Sequence, residues 1–231
     1  MSYPGVVIVT GAAGNLGSAV CGLLARRGCQ VVAVYREADG ARAATAAPPA
    51  LVVGAVDLAD PASSAGVVAE TMKTFGRIDG LVHTVGGFAM GDIAADGAEL
   101  FEPMWRVNLL SAATMVRAAW PAMQASGGGS IIAIGAQPAL RAGAGMAAYA
   151  GAKAALLRLI EAAAEEGKPH AIRANTVLPG TIDTPQNRAA MPDADRGKWV
   201  SAEQVGEAIA FLLSDAAGGI SGAHLPVTGR G

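Results

Sequence analysis

The sequence has no surplus of basic charge. Seventeen Lys and Arg face nineteen Asp and Glu, for a formal net charge of -2 and an isoelectric point near 5.9. No basic patch is therefore expected to hold nucleic acid or an anionic membrane. Cysteine is nearly missing as well. Cys21 and Cys29 are the only two; they lack metal-ligand spacing, and such a pair is expected to be reduced and buried, with no metal site. Also lacking is a long uncharged apolar run. Mean hydropathy is +0.38, yet much of the apolar content is alanine, and nothing approaches the roughly 18 residues that a membrane span needs. The start, Met1-Ser2-Tyr3-Pro4-Gly5, has no basic region of the kind that opens a secretory signal. These absences lead to the expectation of a soluble, cytoplasmic protein whose partner is a small molecule.

What is present is apolar mass. Of 231 residues, 52% are hydrophobic, ample for one α/β domain with a full core and short for a second. A single domain over residues 1–231 is expected. Its organising stretch is Val6–Gly17, VVIVTGAAGNLG: an apolar strand-like run, three glycines, then an apolar helical pattern. Gly11, Gly14 and Gly17 lie three apart, a spacing that permits a sharp turn, a phosphate close to the backbone and a helix packed close to a sheet. The N–H groups at the start of that helix, at Asn15, Leu16 and Gly17, would then meet a dinucleotide pyrophosphate. A glycine triplet also serves in loops that merely need positive φ. Here it follows the first strand, and a second strand-like run, Gln30–Tyr35, comes one helix length later.

The alternation continues. A stripe of Leu16, Val20, Leu23 and Leu24 ends near Gly28 and is followed by a buried parallel strand over Val31–Val34. At the tip of that strand an acidic residue would hold a ribose 2′-hydroxyl, and an arginine would accept a 2′-phosphate. The chain has Tyr35-Arg36 there, which favours NADP(H) over NAD(H), with Glu37 as the alternative partner of Arg36. Leu51–Val56 reads as the third strand, ending in Asp57-Leu58. Asp57 either accepts from an adenine amino group or caps the helix that Pro61 opens. Ile78–Thr84 reads as the fourth strand, after which Val85-Gly86-Gly87 leave room for a ribose or nicotinamide. His83, at this strand's end, is either structural or a proton-transfer group.

From Gly97 to Gln124 a helical pattern surrounds Asn108 with Phe101, Met104, Trp105, Val107, Leu109 and Leu110. An asparagine among such neighbours needs hydrogen-bond partners. The fifth strand is Ile131–Ile134, followed by a glycine-spaced loop over 136–145. Helix Ala147–Glu166 carries Tyr149 and Lys153 four residues apart, on one face. A phenol has a reference pKa of about 10, and a cation held close stabilises its phenolate. Strand six is Ile172–Leu178, and Pro179-Gly180 opens a loop long enough for a substrate lid over 183–199. Helix Ala202–Leu213 and a strand near Ala223–Val227 complete the pattern. The alternation implies an α/β fold: a Rossmann-type, doubly wound parallel sheet of about seven strands with helices on both faces. Ligands in such sheets bind outside the carboxyl ends of the strands.

In order and spacing, the glycine turn, Asp57, Gly86, Asn108, Tyr149-x-x-x-Lys153 and Pro179-Gly180-Thr181-Ile182-Asp183-Thr184 resemble the short-chain dehydrogenase/reductase family over essentially the whole chain. The resemblance implies an NAD(P)-dependent oxidoreductase. Tyr149 would be the catalytic acid, Lys153 would bind the nicotinamide ribose and lower the tyrosine pKa, and Asn108 would hold a water in a proton relay. Thr184 would lie near the carboxamide and phosphates of the cofactor, and Leu58, Pro179, Gly180, Thr181 and Ile182 join the cofactor-binding positions. In this family the two long apolar helices pair between subunits, which implies a homodimer or homotetramer.

Three departures qualify the match. Thr10–Gly17 reads TGAAGNLG, the TGxxGxxG spacing of the larger, extended members of the family, instead of the TGxxxGxG of the compact ones. The Asn-Asn-Ala-Gly that follows the fourth strand in the family is His83-Thr84-Val85-Gly86 here. Thirteen residues before Tyr149, where the family places a serine that polarises the substrate carbonyl, stands Ala136. Losing such a donor typically costs about 2.7–4 kcal/mol of transition-state stabilisation. Either the acceptor is already activated or the protein is not a catalyst, and Gln137 is the candidate substitute. A dihydropteridine reductase-like branch lacks the serine and has the GxxGxxG turn. Residues 178–199 resemble its segment over the active site, particularly Asp183-Thr184-Pro185, Asn187-Arg188 and Met191-Pro192-x-Ala194-Asp195. That branch prefers NADH and has an acidic residue where this chain has Tyr35-Arg36. The expected function is hydride transfer to a quinonoid, iminium or conjugated carbonyl acceptor, with Phe88, Ala136, Gln137 and Tyr149 as substrate contacts. An ordinary ketone or alcohol dehydrogenase and a non-catalytic NAD(P)-binding sensor or assembly protein are the alternatives.

Overall fold

The first apolar run forms β1 (Val6–Thr10), buried at every position. Val7 and Val9 enter one core and Val6 and Ile8 another, as a central parallel strand covered on both faces requires. The computed structural model describes residues 1–36, 48–54, 56–94 and 97–230, the side chains of 97 and 98 excepted. After β1 come α1 (Asn15–Arg26), β2 (Gln30–Val34), β3 (Leu51–Val53), α2 (Pro61–Phe75) and β4 (Gly80–His83). Next are α3 (Gly97–Trp105), α4 (Ser111–Ala125), β5 (Gly129–Ile134), α5 (Ala147–Gly167) and β6 (Ile172–Pro179). Last come α6 (Pro185–Ala190), α7 (Ala202–Leu213) and β7 (His224–Val227).

All pairings are parallel, in one seven-stranded sheet of order β3-β2-β1-β4-β5-β6-β7. The order reverses between β1 and β4, which opens a crevice at their carboxyl ends. One core, with Val9, Val20, Leu24, Val205 and Ile209, lies under α1 and α7. The other, with Ile8, Val67, Met115, Ile131 and Leu156, lies under α2, α4 and α5. The crevice therefore sits on a sheet packed from both sides.

Three sequence readings change here. The long helix from Gly97 is not continuous: α3 and α4 are joined by a π-helical turn over Arg106–Leu110, and Asn108 sits inside it. A π turn adds one residue to the ladder, so apolar spacing alone does not disclose it. The cap of α2 is Asp60, whose carboxylate accepts from the Ala62 and Ser63 N–H groups, and not Asp57. Pro61 occupies the first turn, where its missing N–H costs nothing. The third strand ends at Val53, short of the expected Val56. The loop after β6 holds α6, capped by the Thr184 hydroxyl, which accepts from the Asn187 N–H at 3.1 Å.

Candidate active site

At the nucleotide end, β1 turns at Gly11 with φ +67, a conformation that glycine adopts without cost. Gly17 is required for a different reason. A Cβ there would lie 2.2 Å from the Gly11 carbonyl oxygen, so the start of α1 is pressed directly onto the turn. Gly14 is extended, and a Cβ on it would meet only that same oxygen, at 3.3 Å. Among the described residues no side chain caps α1, which leaves the first N–H groups at Asn15, Leu16 and Gly17 without side-chain partners there. A glycine turn leading into an uncapped helix N-terminus fits a dinucleotide pyrophosphate.

Around this turn, Arg36 is exposed just past β2, while Tyr35 is turned inward. Glu37, the alternative partner for Arg36, lies outside the described residues. Asp57 does not cap α2, and its carboxylate is already engaged. It pairs with Arg106 at 2.6 Å and accepts from the Ala59 N–H at 3.0 Å. The Arg106 guanidinium, followed by that N–H, holds the Asp57 carboxyl below its ordinary range. An adenine amino group would share Asp57 with Arg106. The buried Leu58 offers its carbonyl to the Ser64 hydroxyl, at 3.1 Å, and to the Thr114 hydroxyl, which ties this loop to α2 and α4.

The candidate reaction end is built from buried side chains. Asn108 is inaccessible to solvent. Its Oδ1 accepts from the Gly87 N–H at 3.2 Å, and its Nδ2 donates to the Gly87 and Met104 carbonyls, each at 3.0 Å. Lys153 is buried too, and its Nζ donates to the Ile134 carbonyl at 2.7 Å. Burial pulls the Lys153 ammonium down to about 8. A Cβ on Gly86 would stand 3.0 Å from Asn108 Oδ1 and 3.2 Å from Lys153 Nζ, so these three residues converge on one point that only a glycine leaves open. Phe88 meets the Tyr149 ring edge-on, with centroids 5.0 Å apart and planes at 86°. The Tyr149 hydroxyl makes no hydrogen bond to any described residue.

The expected electrostatic help from Lys153 to Tyr149 is not what the geometry produces. The ammonium is directed to Ile134, and burial pushes the phenol up to about 12. Nor does His83 stand at the crevice as a proton-transfer group. It is 1% exposed, with Nδ1 against the Thr10 hydroxyl at 3.0 Å and Nε2 against the Ser111 hydroxyl at 3.1 Å. Burial, and then the nearby Lys153 charge, push it down to about 3, so it is a neutral structural imidazole. Ala136 is buried just past β5 and offers a methyl group. Gln137 turns its amide toward the Leu178 carbonyl, at 3.4 Å.

The segment after β6 is stapled to itself. Asp183 and Arg188 form a two-pronged ion pair at 2.6 and 2.8 Å, and Asn187 Nδ2 donates to the Ile182 carbonyl at 2.8 Å. Its roots are held as well. Gly180 N–H bonds the Val227 carbonyl, and Thr181 O accepts from Val200 N–H, each at 3.0 Å, while Ile182 bridges Val200. Pro179 through Thr184 thus leave the carboxyl end of β6 as a braced segment. Gln186, on α6, accepts from Asn15 Nδ2 at 2.7 Å, which joins the segment to the glycine turn. Sequence reasoning missed Gln186 and Arg106. The one hint was an arginine two residues from Asn108 in an otherwise apolar run. A second, polar cleft of about 410 Å³ opens at the opposite end of the strands, but its half-buried Arg173 is occupied by the Ile220 and Ser214 carbonyls.

Comparison with known proteins follows the same outline. Residues 11–229 match the family model described as enoyl-(acyl carrier protein) reductase. L-rhamnose 1-dehydrogenase (NAD(P)(+)) of Sphingomonas sp. strain SKA58 is 34% identical over 96% of this chain and 94% of its own. The 3-oxoacyl-(acyl-carrier-protein) reductase FabG of Escherichia coli K12 is 31% identical over 99% and 98%. A short-chain type dehydrogenase/reductase from Mycobacterium ulcerans superposes with a TM-score of 0.93 at 26% identity, covering 100% of this chain and 90% of that one. With a glycine turn feeding an uncapped helix and a parallel sheet matched along its full length, the chain belongs to the short-chain dehydrogenase/reductase family of NAD(P)-dependent oxidoreductases.

Proposed function

We propose that this protein is an NAD(P)H-dependent reductase that delivers hydride to an activated acceptor, a quinonoid, iminium or conjugated carbonyl group, in the manner of the dihydropteridine reductase-like branch. One observation carries the reading: the position thirteen before Tyr149 bears the Ala136 methyl, and neither nearby substitute supplies a fixed donor. Gln137 is turned to Leu178, and His83 has both nitrogens engaged inside the core. A simple ketone would develop its oxyanion with Tyr149 as the lone donor, at a cost of about 2.7–4 kcal/mol for the missing partner. An acceptor that already carries charge or extended conjugation has less need of it.

The residues suit a bound nicotinamide dinucleotide, which supplies the hydride. Gly11, Gly14, Asn15, Leu16 and Gly17 would hold the pyrophosphate, Asp57 and Leu58 the adenine side, and Gly86 with Pro179 to Ile182 and Thr184 the nicotinamide side. Arg36 favours NADP(H) by offering an exposed cation for a 2′-phosphate. Lys153 has three N–H donors and spends one on Ile134, leaving two for ribose hydroxyls. Tyr149, pushed up to about 12, is a neutral phenol at pH 7 and therefore carries the proton that a reduction consumes. Asn108 keeps one Oδ1 lone pair for a relay water, since both its N–H groups are spent on carbonyls.

Residues 183–199 act as the substrate lid. The stretch that resembles the pteridine-reducing branch gains a physical meaning, because Asp183, Thr184, Asn187 and Arg188 are the groups that staple it. A homodimer or homotetramer belongs to the same reading. Phe101, Trp105 and Leu110 are 46%, 45% and 38% exposed, and Val116, Trp120 and Leu159 line an apolar hollow of about 340 Å³ between α4 and α5. A monomer by light scattering at micromolar concentration would remove that part. Cytoplasmic residence accords with two buried, unpaired thiols. The test of function is the initial rate of NADPH and NADH oxidation with quinonoid dihydropterin, in wild type and Tyr149→Phe. Turnover that the variant loses by about 10²–10⁴-fold, the usual worth of a general acid, supports the reductase. Tight nucleotide binding with no turnover would overturn the pterin assignment and redirect the reading first to other activated acceptors and then to the non-catalytic binding protein.

A further inference from the structure

His83 is a buried titratable group that the proposed chemistry does not use, and its surroundings assign its protons. The Ser111 hydroxyl gives its single hydrogen to the Val107 carbonyl at 2.7 Å, so toward His83 it is an acceptor. Nε2 must then carry the imidazole proton, and the bare Nδ1 accepts from the Thr10 hydroxyl. Thr10 and Ser111 are themselves buried. Lys153 lies close enough for its charge to oppose a second one on the ring. One neutral tautomer is therefore held from both sides.

The elements so joined are the ones that hold the proposed site together. Thr10 ends β1 immediately before the Gly11 turn, and His83 pairs with it in register. Val107 lies within the π-helical turn that carries Asn108, and Ser111 directly follows it. Asn108 in turn clasps both backbone groups of Gly87, four residues beyond His83. The circuit from His83 through Ser111 and Asn108 to Gly87 and back along the chain encloses Gly86, where Asn108 and Lys153 converge. We infer that His83 is a positioning residue: it anchors the π-helical turn to the root of the glycine turn and so sets Asn108 against Gly86 and Lys153.

This inference rests on the reductase reading, and its test keeps the two apart. Steady-state kinetics and NADPH affinity would be measured for His83→Leu, His83→Asn and Ser111→Ala, each alone and with Asn108→Ala, beside Tyr149→Phe. His83→Leu is expected to lower kcat about tenfold or more with NADPH Kd changed less than about threefold, and His83→Asn, which keeps a donor and an acceptor, to recover part of it. In the Asn108→Ala background neither His83→Leu nor Ser111→Ala should cost anything further, because residues acting through one another are not additive. Ser111→Ala, which removes one hydroxyl, carries the test if His83→Leu does not fold. Unchanged kcat, or full additivity with Asn108→Ala, would overturn the role of His83 while Tyr149→Phe still abolished turnover. Turnover surviving in Tyr149→Phe would overturn the reductase reading and this inference with it.

Discussion

The two ends of the crevice are made of different material. The proposed nucleotide end is backbone: a positive-φ glycine, a helix start pressed against it and a row of N–H groups with no side-chain cap among the described residues. The proposed reaction end is side chain, with Asn108 and Lys153 buried and tied to carbonyls contributed by Gly87, Met104 and Ile134. A backbone site demands particular residues because of sterics within a dozen positions. A side-chain site demands partners from distant strands, and its chemistry depends on how deeply they are buried. The first end should therefore fail by clash, and the second by electrostatics.

The largest effect expected is at the first end. Gly17→Ala puts a methyl 2.2 Å from a backbone oxygen that cannot swing away, so a loss of about 3 kcal/mol in urea denaturation, the upper part of the usual overpacking range, is expected. Gly14→Ala, at 3.3 Å, should cost far less. Equal losses for the two would erase the distinction between a packed and an open glycine.

Next in size is a pH effect at the second end. Lys153 ordinarily titrates at 10.5 and is held near 8 in the folded chain. Between those values the unfolded chain binds more protons, so stability rises with pH as the buried charge is relieved. From pH 8 to 10 this contributes roughly 2 kcal/mol. The rise should be missing in Lys153→Met, and an identical slope in both proteins would show that Lys153 is not desolvated. The smallest effect returns to the nucleotide end. Arg36→Ala should reduce the preference for NADPH over NADH by about tenfold, the worth of one exposed charge-assisted contact, with stability unchanged. A ratio of the two affinities that did not move would separate Arg36 from the 2′-phosphate.

Some of this was legible early. Val6 through Gly17 announced a strand, a turn and a helix because each obeys local rules, and the alternation of runs led to the parallel sheet. Tyr149 and Lys153 were found by helical spacing, but their electrostatic relation was not. Spacing says that two residues share a face, whereas the Ile134 carbonyl, nineteen residues from Lys153, decides where the ammonium points. Asp57 was visible as an acid after a strand. Its partner Arg106, forty-nine residues on, was not, since a π-helical turn leaves no mark in the apolar pattern.

Residue order alone thus carried the resemblance to the family, through its motifs, and the parallel α/β architecture and the glycine turn, through short-range sterics and the period of apolar residues. The tertiary structure decided that His83 is buried between the Thr10 and Ser111 hydroxyls, that burial raises the Tyr149 phenol and that Asn108 faces Gly86. Those outcomes depend on burial and on hydrogen-bond partners that only folding brings within 3 Å or so of one another.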